Sequence, residues 1–447
     1  MKSVDTIAAE LLGYDPQALR ADDVGAFLSR LVEPVTRTET VGILEALGRV
    51  LSQDLVSPIS VPAHDNSAMD GFALDGSQLR TDSPLQLKVV GTALAGRAWV
   101  GAVSQGECLK IMTGAILPAG LDTVVPQELV QGDGANITIP AGVLARGENR
   151  RCLGEDLMQG QVALQKGELL TPAALGLVAS LGIKEVLVWR RLRVAYFSTG
   201  DELLSLGQAP REGAVYDSNR YTVLGMLARL GCEVVDLGVV RDDAALLEAA
   251  FMRAAQRCDA IITSGGVSVG EADFTKAMMK KLGDVAFWKI AMRPGRPMAA
   301  GRIPRVKSGP DARRTSVDSY HNDSDMDLSE AAILFGLPGN PVAVMVTFLA
   351  FVRPALLQMM GARMRPRPLL KARSAQAIRK KPGRTEYQRG IVSTATDGSL
   401  LVRITGNQGS GVLRSMVEAN GLIVLGHAQG NVAAGETVDV MMFDGVI

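Results

Sequence analysis

Ala260-Ile261-Ile262-Thr263-Ser264-Gly265-Gly266-Val267-Ser268-Val269-Gly270-Glu271-Ala272-Asp273 passes from an apolar run of strand length into a glycine-rich loop that ends on acids. The same grammar recurs on both sides of it. Val194–Phe197 leads into Ser198-Thr199-Gly200-Asp201-Glu202, Val234–Leu237 leads through a glycine to Arg241-Asp242-Asp243, and Ile333–Leu337 leads into Pro338-Gly339-Asn340-Pro341. Val285–Trp288 is a fifth run of this kind, and helical stretches at Tyr221–Leu230, Asp243–Gln256, Asp273–Leu282 and Val342–Leu357 alternate with the runs. Fully apolar strands alternating with helices predict an α/β fold: a mostly parallel sheet with helices on both faces, over about residues 191–365. In that architecture ligands sit at the carboxyl ends of the strands. The loops quoted above are therefore the candidate site.

Working outward, the texture changes on either side. Residues 50–143 contain short β-prone runs (Leu85–Val90, Cys108–Met112, Asn136–Ile139) separated by Gly, Pro, Asp and Asn turns, which predicts an inserted β-rich domain. Val24, Phe27, Leu28, Leu31, Val41, Leu44 and Leu47 recur at helical steps over 22–48, with Pro34 between two pieces, and 144–190 is again rich in Leu and Ala. These two stretches predict one helical linker layer built from 1–49 and 144–190. Residues 366–447 return to short strands and turns, a C-terminal β domain. The polar stretch 305–330 reads as a flexible surface insertion.

Composition narrows the function classes. Lys plus Arg and Asp plus Glu both number 47 in the 447 residues, so there is no global field for gripping nucleic acid or an anionic membrane. Any anion must be met by a local site. Cys108, Cys152, Cys232 and Cys258 are far apart, with no C-x-x-C pair, which suits a reducing, cytoplasmic setting and argues against a zinc ribbon or disulfide framework. No apolar leader is evident in the first 30 residues. Residues 331–352 carry no charge, but Pro338-Gly339-Asn340-Pro341 interrupts them, so they read as buried strand, turn and buried helix rather than a membrane span.

The loop chemistry points to a phosphorylated ligand. Thr199, Gly200, Ser264, Gly265, Gly266, Gly270, Pro338, Gly339 and Pro341 are the substrate-binding candidates: the small residues of these loops let backbone N–H groups approach an anion, and helix N-termini follow them. Carboxylates beside such loops repel an anion unless a cation intervenes, so Glu202, Asp242 and Asp273 are candidate Mg²⁺ ligands. Lys289, Arg293 and Arg296, spaced along Trp288–Pro297, are cations available to an oxyanion. Gly266-Val267-Ser268-Val269-Gly270 also fits the G-x-S-x-G pattern of serine hydrolases. However, Ser268 lies five residues beyond its strand, and the histidines downstream of it are His321 in the polar insertion and His427 near the end of the last domain.

Taken together, Asp65-Asn66-Ser67-Ala68-Met69-Asp70-Gly71, Met112-Thr113-Gly114, Ser198–Leu203, Tyr216-Asp217-Ser218-Asn219-Arg220, Thr263–Phe274 and Gly336–Pro341 resemble, in order, the motifs of the molybdopterin molybdenumtransferase family, whose eukaryotic relatives include the E domain of gephyrin. The resemblance covers roughly residues 21–447. It implies an elongated four-part homodimer and a Mg²⁺-dependent reaction in which adenylylated molybdopterin and molybdate become molybdenum cofactor and AMP. A molybdopterin adenylyltransferase and apo-molybdoenzymes would be its partners. It further implies that Asp65, Thr113 and Asp156 line the same cleft as Glu202, Asp242 and Asp273, and that Ser268, Arg293, Arg296, Arg384 and Ser410 lie near the oxyanion. Arg293-Pro-Gly-Arg296-Pro departs from the Lys-Pro-Gly-Lys-Pro expected of the family, and a guanidinium is a fork where an ammonium is a point. Two other readings stay open on the sequence: a non-catalytic molybdopterin-binding scaffold, and the adenylyltransferase itself.

Overall fold

The computed structural model describes residues 2–267, 274–305 and 330–443. Ser268, Gly270 and Asp273, and all but the ends of the 305–330 insertion, lie outside the described residues.

The alternating segment forms six strands: β1 (Arg193–Thr199), β2 (Glu233–Val240), β3 (Ala260–Ser264), β4 (Asp284–Lys289), β5 (Pro297–Pro304) and β6 (Ala331–Leu337). Their spatial order is β2-β1-β3-β6-β5-β4. β1 pairs in parallel with β2 and β3, β3 pairs in parallel with β6, and β5 runs antiparallel between β6 and β4. The register sets Ser198 against Ser264, Ser264 against Leu337 and Thr199 against Val240, so the loops leaving β1, β2, β3 and β6 emerge at one edge. Lys289 is registered against Pro297, which brings the basic β4–β5 turn to that same edge.

Side chains alternate between the two faces of a strand, and both faces here are covered. Val194, Tyr196, Ile262, Phe335 and Leu337 pack with Val223 and Leu227 of helix α1 (Ser218–Arg229) and with Val342 and Val346 at the start of a long helix, Pro341–Met359. Ala195, Phe197, Ile261 and Leu334 pack on the other face with Leu247 and Phe251 of α2 (Ala244–Arg257) and Met278 and Met279 of α3 (Phe274–Leu282). Phe197 and Phe251 meet edge to face, with ring centroids 5.0 Å apart. The long helix, α4 (Pro341–Met359), is apolar and long enough to cross a bilayer, but 72% of its most apolar window is buried in the fold, so it is a core helix.

Two expectations about helices change. The helical period at 22–48 ends with the helix Ala21–Leu31, whose Val24, Phe27, Leu28 and Leu31 pack into the α/β core; Phe27 sits edge-on to Trp288 at 4.8 Å. Beyond Pro34, Thr38–Gly42 is a strand paired antiparallel with Glu185–Trp189, and Leu44 and Leu47 are exposed. In 144–190 the one helix is Pro172–Ser180. β-Branched Thr38, Thr40, Val186 and Val188 favour the strand pairing over the helix that the spacing suggests.

Two further six-stranded sheets flank this core. One is built from Gly71–Leu74, Leu85–Ala93, Glu107–Ile111, Thr123–Pro126, Gln131–Gly132 and Asn136–Ile139. The other joins strands between Leu370 and Met442 to an unexpected member, Met292–Arg293, which pairs in parallel with Thr385 and Glu386. The β4–β5 turn is thus stitched to the C-terminal sheet.

Candidate active site

A cavity of about 1190 Å³ opens over the carboxyl edge of the sheet. Glu202 follows β1, Asp242 follows β2, Gly265 and Gly266 follow β3, Pro338–Pro341 follow β6, and Arg293–Pro297 span β4 to β5; all of them line it. Strand order therefore lays out the chemistry. Moving along the edge, one meets Asp242, Glu202, the glycines, the proline loop and then the arginines. One end is acidic and the other basic.

Local geometry explains each placement. Asp243 caps α2, its Oδ1 accepting from the N–H groups of Ala245 and Leu246 at 2.9 and 2.9 Å. That leaves Asp242, one residue earlier, to face the cavity. The Glu202 carboxylate lies over Gly200, where a Cβ would come within 2.5 Å of it. Gly266 has φ +63°, and a Cβ there would sit 2.2 Å from the Cβ of Thr275, so only glycine lets the loop fold onto the first turn of α3. Arg384, next to the strand stitched to Met292–Arg293, reaches the cavity while its Nε donates to Glu386 at 2.7 Å. Ser410 is brought in by its carbonyl, which accepts from the N–H of Val342 in the first turn of α4 at 3.1 Å. Among the described residues the guanidinium groups of Arg293 and Arg296 form no ion pair with a carboxylate.

Of the remaining sequence candidates, Thr199, Gly200, Gly339 and Pro341 line the cavity. Ser264 does not: it is buried beneath the edge, its hydroxyl 2.7 Å from that of Tyr196, which also lies 2.8 Å from Ser198 Oγ. Lys289 does not line it either; its backbone N–H donates to Pro16 at 2.8 Å. Asp65, Thr113 and Asp156 are not part of this cavity within one chain. Asp65 pairs with Arg150 at 2.5 Å and accepts from the Leu153 N–H at 2.7 Å. Thr113 donates its N–H and hydroxyl to Asp70, each at 2.7 Å, which holds the Asp70 carboxyl below its usual range.

Sequence reading missed Asp217 and Asn219 as lining residues. Asp217 caps α1 by accepting from the Arg220 N–H at 3.1 Å, and Asn219 Nδ2 donates to the Gly339 carbonyl at 2.7 Å. An Asp-Ser-Asn ahead of a helical period is a capping signal, but nothing in it reveals contact with a loop 120 residues away.

The donor set on the acidic side is carboxylate only. No described His or Cys lines the cavity, which suits a hard divalent cation such as Mg²⁺ and not zinc. Among the described residues no group of three metal-ligating side chains forms; the third expected ligand, Asp273, lies outside them.

Comparison with known proteins bears on this geometry. Residues 19–182 match the MoeA N-terminal region (domain I and II), residues 195–358 a probable molybdopterin binding domain, and residues 371–443 the MoeA C-terminal region (domain IV). The chain is 41% identical to the molybdopterin molybdenumtransferase of Haemophilus influenzae, over 92% of this chain and 95% of that protein. It is 34% identical to molybdopterin molybdenumtransferase 2 of Mycobacterium tuberculosis, over 93% and 97% respectively. A crystal structure of a molybdopterin biosynthesis moeA protein from Pyrococcus horikoshii superposes with a TM-score of 0.76 at 26% identity, covering 95% of this chain and 100% of that one.

Proposed function

Since the chain belongs to the molybdopterin molybdenumtransferase family, and is thereby a transferase of molybdenum cofactor biosynthesis, we propose that it converts adenylylated molybdopterin and molybdate to molybdenum cofactor and AMP. The observation that carries this reading is the polarity of the sheet edge, acidic at Glu202 and Asp242 and basic at Arg293 and Arg296.

Glu202 and Asp242, with Asp273, would hold a Mg²⁺; when bound, the ion supplies charge neutralisation to the phosphates and to departing AMP. Gly265 keeps the loop after β3 small, and the N–H groups of Gly266, Gly339 and Asn340 are the backbone donors offered to the anionic substrate. Arg293 and Arg296, helped by Ser410 and Arg384, hold molybdate, the second substrate, close to the dithiolene sulfurs. Holding two substrates in one pocket converts a bimolecular encounter into a local one, and fixed cations stabilise developing charge without reorganising. No protein nucleophile is needed. Because Asp65, Thr113 and Asp156 lie away from the cavity of their own chain, their role is best met in a homodimer in which a second copy offers them to it. The setting is cytoplasmic.

The test supplies adenylylated molybdopterin, molybdate and Mg²⁺ and follows AMP release together with reconstitution of an apo-molybdoenzyme. Molybdate-dependent AMP release is expected. AMP release that ignores molybdate, or none at all, overturns the proposal.

A further inference from the structure

Behind the main cavity lies a second one of about 350 Å³, lined by Arg293, Arg379 and Arg389 among others. The two adjoin through Arg293, Pro294 and Gln408, which line both. Arg389, on the strand Thr385–Thr394, is 1% exposed. A charge so buried normally faces a carboxylate. Here Nε donates to Ser415 Oγ at 3.0 Å and Nη2 to the carbonyls of Asn407 and Gly409 at 3.2 and 3.0 Å, all neutral acceptors. Nη1 has no partner among the described residues.

The one carboxylate lining this cavity is Glu386, and it is already engaged. Its Oε1 accepts from Arg384 Nε at 2.7 Å and its Oε2 from Gln388 Nε2 at 3.0 Å. Three arginines thus line one small volume whose one carboxylate is already engaged. Burial, and then the charge of Arg293, push the Arg389 guanidinium down to about 10, the direction expected of cations crowded without an anion. Arg389 also acts as a strut for the 407–409 loop. That duty uses Nε and Nη2 and leaves Nη1 available to the cavity that Arg293 and Arg379 also line.

We propose that this second cavity is a binding site for a free tetrahedral oxyanion of the molybdate class, separate from the position at Arg296 and Ser410 and sharing Arg293 with it. Arg293 lies on the boundary, so an anion held by Arg379 and Arg389 is one side chain away from the main cavity. The site rests on the arginine geometry; the identity of the oxyanion rests on the proposed function.

The probe is tungstate, a heavy analogue, added to the full chain without pterin substrate. Anomalous scattering and calorimetric stoichiometry should give two tungstate positions per chain, one of them between Arg379 and Arg389. Arg379 is exposed and safe to replace. Arg379→Glu should weaken the second position about tenfold or more and leave the first within about twofold, with Arg379→Lys restoring most of the loss. Tungstate at the Arg296–Ser410 position alone overturns this inference and leaves the proposed function standing. Tungstate at neither position overturns both. Preferential filling of the second cavity by inorganic phosphate in a mixed soak overturns the assignment to the molybdate class.

Discussion

The Glu202 carboxylate is exposed, makes no hydrogen bond or ion pair among the described residues, and lies over Gly200 at the mouth of the cavity. A side chain with so little structural engagement is a clean probe of chemistry. Glu202→Gln keeps the shape and removes the charge, so stability should change by no more than about 0.5 kcal/mol. Losing one anionic ligand to a divalent cation should cost several kcal/mol in the transition state, so AMP release should fall by about 100-fold or more. Thermal melting and single-turnover AMP release check the two halves. Wild-type turnover in the variant would remove Glu202 from the metal assignment. Asp242 and Asp243 show how residue reading succeeds and where it stops. Both follow β2 and both are acids, yet capping geometry gives one to the helix and leaves the other to the cavity.

At the scale of elements, the contact between α1 and the Pro338 loop holds the middle of the site. Asn219→Ala removes the Nδ2 donor and leaves the Gly339 carbonyl unpaired, a loss of roughly 1–2 kcal/mol. The loop carrying Pro338, Gly339 and Asn340 should loosen, so KM for the pterin substrate should rise several-fold while the Mg²⁺ dependence is unchanged. A KM at the wild-type value would show that the loop needs no such tie. Much of this architecture was legible. Strands β1, β3 and β6 are buried on both faces, so they appear as continuous apolar runs, and the glycines and acids that end them mark the candidate loops. Strand β5 was not legible, because it opens on Pro297 and carries Gly301 and Arg302, and its pairing with β4 and β6 supplies what its composition lacks. The helix read into Val41, Leu44 and Leu47 failed because that spacing marks no buried face: Leu44 is 88% exposed. The stitch between Met292–Arg293 and Thr385–Glu386 joins segments some 90 residues apart, and no local pattern announces such a pairing.

Across the whole molecule, buried thiols are shared among separate cores, and they set its response to alkali. Cys108 lies in the core of the N-terminal sheet, Cys232 in the core on one face of the α/β sheet, and Cys258 in the core on the other. Burial pushes each up to about 12 from an ordinary value of 9.0. A thiol whose pKa is raised by folding binds its proton more tightly in the native state. Its contribution is fully present below the unfolded pKa and is lost as pH rises from about 9 towards 12. Stability should therefore fall by at most about 1.4 kcal/mol per pH unit for each buried thiol across that window. The α/β sheet has two such groups and the N-terminal sheet one, so the α/β core should be the more alkali-sensitive. Urea unfolding between pH 8 and 11, followed by Trp288 fluorescence for the α/β core and Trp99 for the N-terminal sheet, measures both slopes. Cys258→Ala should flatten the first slope and leave the second untouched. Below pH 9 a thiol reagent should label only the exposed Cys152 in the native protein. A flat stability profile up to pH 11, or fast native labelling of Cys232 or Cys258, would mean that these cores admit water.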